Sequence, residues 1–128
     1  MKTRVMVVDD DRVLSKVTRK VLEANGFEVE TAFNGQECLD RLKSFTPQVI
    51  LLDIMMPDPS PRQVIKEIRN RKLNLKIIYF SALKQHDETE KRLSGDLTSE
   101  SDGDYVVDYI EKPFTTKVLI GKIKNALK

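Results

Sequence analysis

The chain has 128 residues, and its 22 Lys and Arg against 20 Asp and Glu leave a formal charge of only +2 although 33% of the residues are charged. That is the length of one domain, enough to close a single core without disulfide or metal staples, and the even mixing of signs lacks the basic face of a dedicated nucleic-acid binder. A lone cysteine, Cys38, forbids an internal disulfide and fits a reducing cytoplasm; no apolar run approaches the roughly 18 residues of a membrane span, and acid at Asp9 comes before a signal-peptide core can form.

Val5 to Val8 is a short apolar run that stops at Asp9-Asp10-Asp11. Val13, Leu14, Val17, Val21 and Leu22 follow at helical spacing up to Asn25-Gly26, so the order is strand, acidic loop, helix and C-cap. Phe27, Val29 and Thr31 alternate with Glu28 and Glu30 as a half-buried strand does. Asn34 and Glu37 have capping-box spacing, and Cys38, Leu39, Leu42 and Phe45 line one helical face behind them. After Thr46-Pro47, Val49-Ile50-Leu51-Leu52 is an uninterrupted apolar strand, the kind buried on both faces of a parallel sheet, and it ends at Asp53. Pro57-Asp58-Pro59-Ser60-Pro61 is a stiff loop whose end starts a helix, with Ser60 as N-cap, Pro61 at N1 and Gln63 at N3. Val64, Ile65 and Ile68 form the apolar side of that helix.

Ile77 to Phe80 predicts a fourth strand ending at Ser81. Lys84 to Leu97 is mostly polar with weak helical content, and Ser94 to Asp104 predicts an acidic, Gly/Ser-rich loop. Tyr105 to Ile110 predicts a fifth strand, Lys112-Pro113 breaks it, and Val118, Leu119, Ile120, Ile123 and Leu127 mark a closing amphipathic helix. Strands alternating with helices in five βα units predict an α/β fold, a parallel sheet covered on both faces through right-handed crossovers, in one domain with no dividing linker.

In such a sheet ligands bind beyond the carboxyl ends of the strands. Those ends carry Asp9-Asp10-Asp11, Asp53, Ser81 and, beside the fifth, Lys112. Carboxylates about 4 Å apart repel by roughly 4 kcal/mol per pair at an effective dielectric of about 20, so such a group either takes up protons or recruits a cation. Mg²⁺ suits it, because Mg²⁺ is held by one or two carboxylates together with phosphate oxygens. Metal, carboxylate, hydroxyl and lysine are together what phosphoryl transfer uses. Singly, these residues have plainer uses. Aspartates cap and turn, a hydroxyl after a strand is a common cap, Tyr109 suits a half-buried packing position, and Cys38 lies on an apolar face as core. His86 stands in a polar stretch as a solvated residue, and Arg69, Arg71 and Lys72 close a helix where cations suit the dipole.

Over nearly its whole length the sequence resembles the receiver domain of bacterial two-component response regulators. The matching pieces are VVDDD ending at Asp11, LLDIMMP from Leu51 to Pro57, Ser81-Ala82, and DYIEKPF from Asp108 to Phe114, each at a strand end and in the family's order. The resemblance implies a flavodoxin-like (βα)5 doubly wound sheet of order 2-1-3-4-5. It implies Asp53 as phosphoacceptor, attacking a phosphohistidine on a sensor histidine kinase or histidine phosphotransfer partner. Mg²⁺ would be held by Asp10, Asp53 and the Met55 backbone carbonyl, with Asp9 acting through water. Lys112 would meet the phosphoryl oxygens, Ser81 would hydrogen-bond one of them, and Tyr109 would rotate inward with it. The fourth and fifth strands and their flanking helices become the face read by a downstream protein target, in a population shift. Lys112-Pro113 resembles a junction that is often cis. The chain then reads as a single cytoplasmic receiver over residues 1–128 without an effector domain, catalysing its own phosphorylation rather than turning over a metabolite, with neither nucleic acid nor membrane as direct partner.

The pattern also departs from the family. Ser60-Pro61 replaces the usual Asp-Gly, which stiffens the loop beside Asp53, and the stretch from Leu83 to Asp108 is long and lacks the usual Ala-Gly pattern. Three other readings compete. One is a docking module of the same fold that is never phosphorylated. Another is a phosphatase resembling the haloacid dehalogenases, since Asp9 and Asp11 form an Asp-x-Asp pair, although the chain has no room for a cap and gives Asp53 and Lys112 no task. A flavodoxin relative fails for want of a Ser/Thr/Gly-rich phosphate loop after the first strand. Met55 and Leu83 put two apolar side chains at the variable positions flanking the acceptor, where polar ones would orient water. Self-dephosphorylation of Asp53 is therefore expected to be slow, and a half-life of seconds in the purified phosphoprotein would contradict this.

Overall fold

Apolar strands that end in acid dictate where the chain turns. The structure is a computed structural model that describes residues 2–57, 59–81 and 105–128. Five strands, β1 (Arg4–Val8), β2 (Glu28–Ala32), β3 (Val49–Asp53), β4 (Lys76–Ser81) and β5 (Val106–Glu111), form one sheet of order β2-β1-β3-β4-β5, every neighbouring pair parallel. Among the described residues four helices accompany it: α1 (Arg12–Ala24), α2 (Gly35–Arg41), α3 (Pro61–Asn70) and α4 (Thr116–Ala126). The weakly helical Lys84–Leu97 stretch, the Ser94–Asp104 loop, Leu83 and His86 lie outside the described residues.

Side chains alternate across a strand, and the core divides accordingly. Met6, Val8, Ile50, Leu52, Ile77 and Tyr79 pack with Cys38 and Leu39 of α2 and Val64, Ile65 and Ile68 of α3. Val5, Val7, Val49, Leu51, Ile78 and Phe80 pack on the other face with Leu22 of α1 and Leu119, Ile120 and Ile123 of α4. All five residues of β3 are buried, as the unbroken apolar run requires.

The helix starts follow the predicted chemistry. Ser60 and Gln63 close a full capping box on α3, with the Ser60 amide donating to Gln63 Oε1 at 2.7 Å and the Gln63 amide to Ser60 Oγ at 3.2 Å. Asn34 caps α2 by accepting from the Glu37 amide at 2.8 Å, but Glu37 reaches back to the Phe33 amide instead of its partner's own. α2 itself stops at Arg41; Leu42 and Phe45 continue its apolar side from the following turn.

Other details depart from the linear reading. Val13 and Val17 of α1 are 75% and 52% exposed, and Ser15 and Thr18 take the buried positions. Ser15 is drawn inward because its hydroxyl donates to the Asp9 carbonyl at 3.3 Å. A register shift between Ile77 and Ile78 in the β4–β5 pairing moves β5 on by one residue, to end at Glu111, and leaves Val107 exposed. The Lys112–Pro113 peptide is cis.

Two helices end in the same Schellman geometry with different residues at its left-handed position. After α1, Gly26 (φ 90°) donates to the Glu23 carbonyl and Phe27 to that of Leu22; after α3, Lys72 (φ 56°) donates to Arg69 and Leu73 to Ile68. A side chain at positive φ costs about 1–2 kcal/mol, and the Lys72 side chain is exposed. Lys72→Gly is therefore expected to stabilise the fold by about 0.5–1 kcal/mol and Gly26→Ala to destabilise it by about 1 kcal/mol, each read as a moved urea midpoint at unchanged slope; equal stability of both variants and the parent would contradict this.

Candidate functional site

One step beyond the paired residues Val8 and Leu52, β1 runs into Asp9 and β3 into Asp53. Both share the strand parity of Val5, Val7, Val49 and Leu51, and both are buried, at 0% and 4% exposure. Asp10 stands beside them, exposed. One carboxylate oxygen from each of the three residues lies within 4.8 Å of the others. Lys112 reaches over from beyond β5: its Nζ is 2.5 Å from Asp9 Oδ2 and 3.6 Å from Asp53 Oδ2.

Local hydrogen bonds hold the acids. The Asp11 amide donates to Asp9 Oδ1 and the Met55 amide to Asp53 Oδ1, each at 2.9 Å. Asp11 turns away to cap α1, accepting from the Leu14 amide at 3.0 Å, so the Asp9/Asp11 pair required by the phosphatase reading does not form in the cluster. Met55 is 51% exposed while Ile54 and Met56 on either side are buried. Ser81 ends β4 opposite Glu111; its side chain lies outside the described residues. Tyr109, half-buried in β5 opposite Tyr79, packs against the core on the α2/α3 side of the sheet, the face away from Asp9 and Asp53.

Two aromatic supports were not evident from the motifs. Phe80 lies opposite Asp53 in the β3–β4 register, and Lys112 Nζ sits 4.5 Å from its ring centroid; Phe114 packs against the same ring at 5.7 Å. A cation over an aromatic face is attracted by the ring quadrupole, so Phe80 is a floor for the ammonium group. Counting the parallel register from Asp53 would have found it. At the start of α1 the Arg12 guanidinium stacks 4.1 Å from the Phe33 ring centroid. Cys38 takes no part: it is buried on the α2 side, where desolvation pushes its thiol up to about 12.

The electrostatics favour a cation. Three carboxylates against one ammonium leave a formal double negative charge in a small, half-dry volume. Burial pushes the Asp53 carboxyl up from its ordinary 3.8 to about 6; the Met55 amide and Lys112 pull it back, and the charge of Asp9 adds to the rise. The donor set is all oxygen and hard, which fits Mg²⁺ better than a transition metal.

Residues 5–124 match the family described as the response regulator receiver domain. The chain belongs to that family. As a receiver domain it is a component of two-component signalling, and receiver domains bind Mg²⁺ at an acidic cluster such as this one. Response regulator MprA of Mycobacterium tuberculosis is 34% identical over 128 residues, which are 100% of this chain and 52% of that protein; the chain spans about half the length of the curated relatives it matches. Among solved receivers, a response regulator from Thermotoga maritima is 28% identical with a TM-score of 0.78, covering 99% of this chain and 98% of that one. The BeF3-activated DrrB receiver domain is 26% identical with a TM-score of 0.75 over 99% and 98% of the two chains. Among the described residues of this receiver, no helix is long and apolar enough to cross a membrane.

Because the native carboxyl of Asp53 binds its proton more tightly than the unfolded one, the native state holds more protons between about pH 4 and pH 6. Metal-free stability is therefore expected to fall as pH rises through that window. Asp53→Asn should flatten this slope and be more stable than the parent at pH 8 by on the order of 1 kcal/mol. Urea melts with a chelator present measure both, and an Asn variant no more stable than the parent at pH 8 would refute the burial penalty.

Proposed function

We propose that this receiver takes a phosphoryl group onto Asp53 from a phosphohistidine of a sensor histidine kinase or histidine phosphotransfer protein. The observation that carries the reading is the joint burial of Asp9 and Asp53 around one lysine ammonium, with exposed Asp10 beside them. That arrangement is costly as a mere surface turn and fits a site built for a divalent cation and a phosphoryl group.

Residue by residue, Asp10, Asp53 and the Met55 carbonyl would hold Mg²⁺, with Asp9 acting through water. The ion, when bound, supplies charge to the transferring oxygens. An Asp53 carboxylate oxygen attacks phosphorus, the phosphorus–nitrogen bond breaks, and its electron pair leaves with the imidazole nitrogen, which takes up a proton. Lys112, now on Asp9 and near Asp53, moves its charge toward the phosphoryl oxygens. Phe80 beneath it limits how far the ammonium can retreat. Ser81 would donate to a phosphoryl oxygen, and Tyr109 would rotate as β4 and β5 settle into the modified state. The reader of that change is a downstream protein meeting the β4–β5 side of the fold. The receiver acts once on itself per signal and turns over no metabolite.

BeF3, which activates the DrrB receiver, supplies a second probe of this reading. With Mg²⁺ and a small acyl phosphate, intact mass is expected to show one added phosphoryl group, lost with a chelator and in Asp53→Asn, and Lys112→Ala is expected to slow its formation by about a hundredfold. A parent chain that stays unmodified and fails to bind BeF3 with Mg²⁺ would leave the unphosphorylated docking module as the reading.

A further inference from the structure

Pro59, four residues beyond Met55, packs closely on the start of α2. A side chain added at Gly35, the first residue of α2, would put its Cβ 2.7 Å from Val64 Cγ2, 2.8 Å from Pro59 Cγ and 2.9 Å from the Pro59 carbonyl oxygen. Val64 is fully buried in α3, and a backbone oxygen cannot swing aside as a long side chain does. Gly35 does not adopt a positive φ, so its backbone conformation would accept alanine. Contact, not conformation, makes glycine necessary here.

The contact lies where it can act on the site. Pro59 immediately precedes Ser60, whose capping box fixes the start of α3. On the other side, Met56 and Ile54 are buried anchors, and the Met55 amide is bonded to Asp53 Oδ1. Pro57 and Pro59 each have a locked φ, which removes two of the torsions by which a displaced Pro59 could be accommodated before Met55.

We infer that Gly35 is a positioning residue for the acceptor loop: the seat it leaves for Pro59 and Val64 holds the Met55 backbone in place against Asp53. The metal part of this inference rests on the Mg²⁺ reading above; the loop geometry does not.

The test reads the two separately in the full chain, by amide hydrogen exchange at Met55 and by calorimetric titration with Mg²⁺ alone. Gly35→Ala is expected to speed Met55 exchange roughly tenfold and to weaken Mg²⁺ binding roughly tenfold or more, as loss of support around metal ligands does. Gly26→Ala, at the far end of α1 where an added Cβ meets nothing within 4 Å, is the control for lost stability and should change neither. If Gly35→Ala does not fold, Pro59→Gly lifts the ring from the same seat and should speed Met55 exchange alike. Met55 exchange unchanged in these variants, or changed equally by Gly26→Ala, overturns the positioning role. A parent chain that binds no Mg²⁺ overturns the metal reading instead, and Met55 exchange still decides the role of Gly35.

Discussion

Everything at the carboxyl edge of this sheet depends on two aspartates being kept out of water. Asp9 follows β1 and Asp53 ends β3, each directly after a fully buried residue, and removing carboxylates from solvent is unfavourable unless a cation compensates. Lys112 provides one charge, held over Phe80 and within reach of both acids. That leaves the site short of positive charge. The deficit makes the resting site receptive to a divalent ion, while burial, with a smaller contribution from the charge of Asp9, makes the Asp53 carboxyl hold its proton more tightly than a surface acid.

The sheet assembles these groups because their strands are adjacent. β1 and β3 are direct neighbours, β4 lies next to β3, and β5 brings Lys112 from the far side of β4. Residues more than a hundred positions apart in the chain, Asp9 and Lys112, meet as an ion pair. Closing that pair links the first strand to the loop beyond the fifth, so the acidic site is also a clasp across the sheet.

Much of this was legible in the sequence, for identifiable reasons. A strand buried on both faces must be apolar throughout, so Val49 to Leu52 declared itself, and so did the acid that ended it. Ser60, Pro61 and Gln63 are local capping chemistry, and the capping box formed as read. What stayed hidden depends on distant contacts. Which side of α1 faces inward was obscured because Val13 and Val17 point outward while Ser15 turns in to bond the Asp9 carbonyl. The support of Lys112 by Phe80 and the seat of Pro59 on Gly35 appear only once strands and helices are in register. The one-residue shift of β5 arises in its pairing with β4 and has no signature in its own residues.

The alternation that divides the core has a further consequence. Asp9 and Asp53 belong to the same odd-numbered series as the side chains packed under α1 and α4, so core and site share one phase. Deleting a single residue within β1 or β3 would exchange the two faces of that strand and turn its terminal acid toward α2 and α3. A change of length is thus compatible with the acidic edge only in the connections between elements, and that edge can be retuned by substitution but not by sliding a strand.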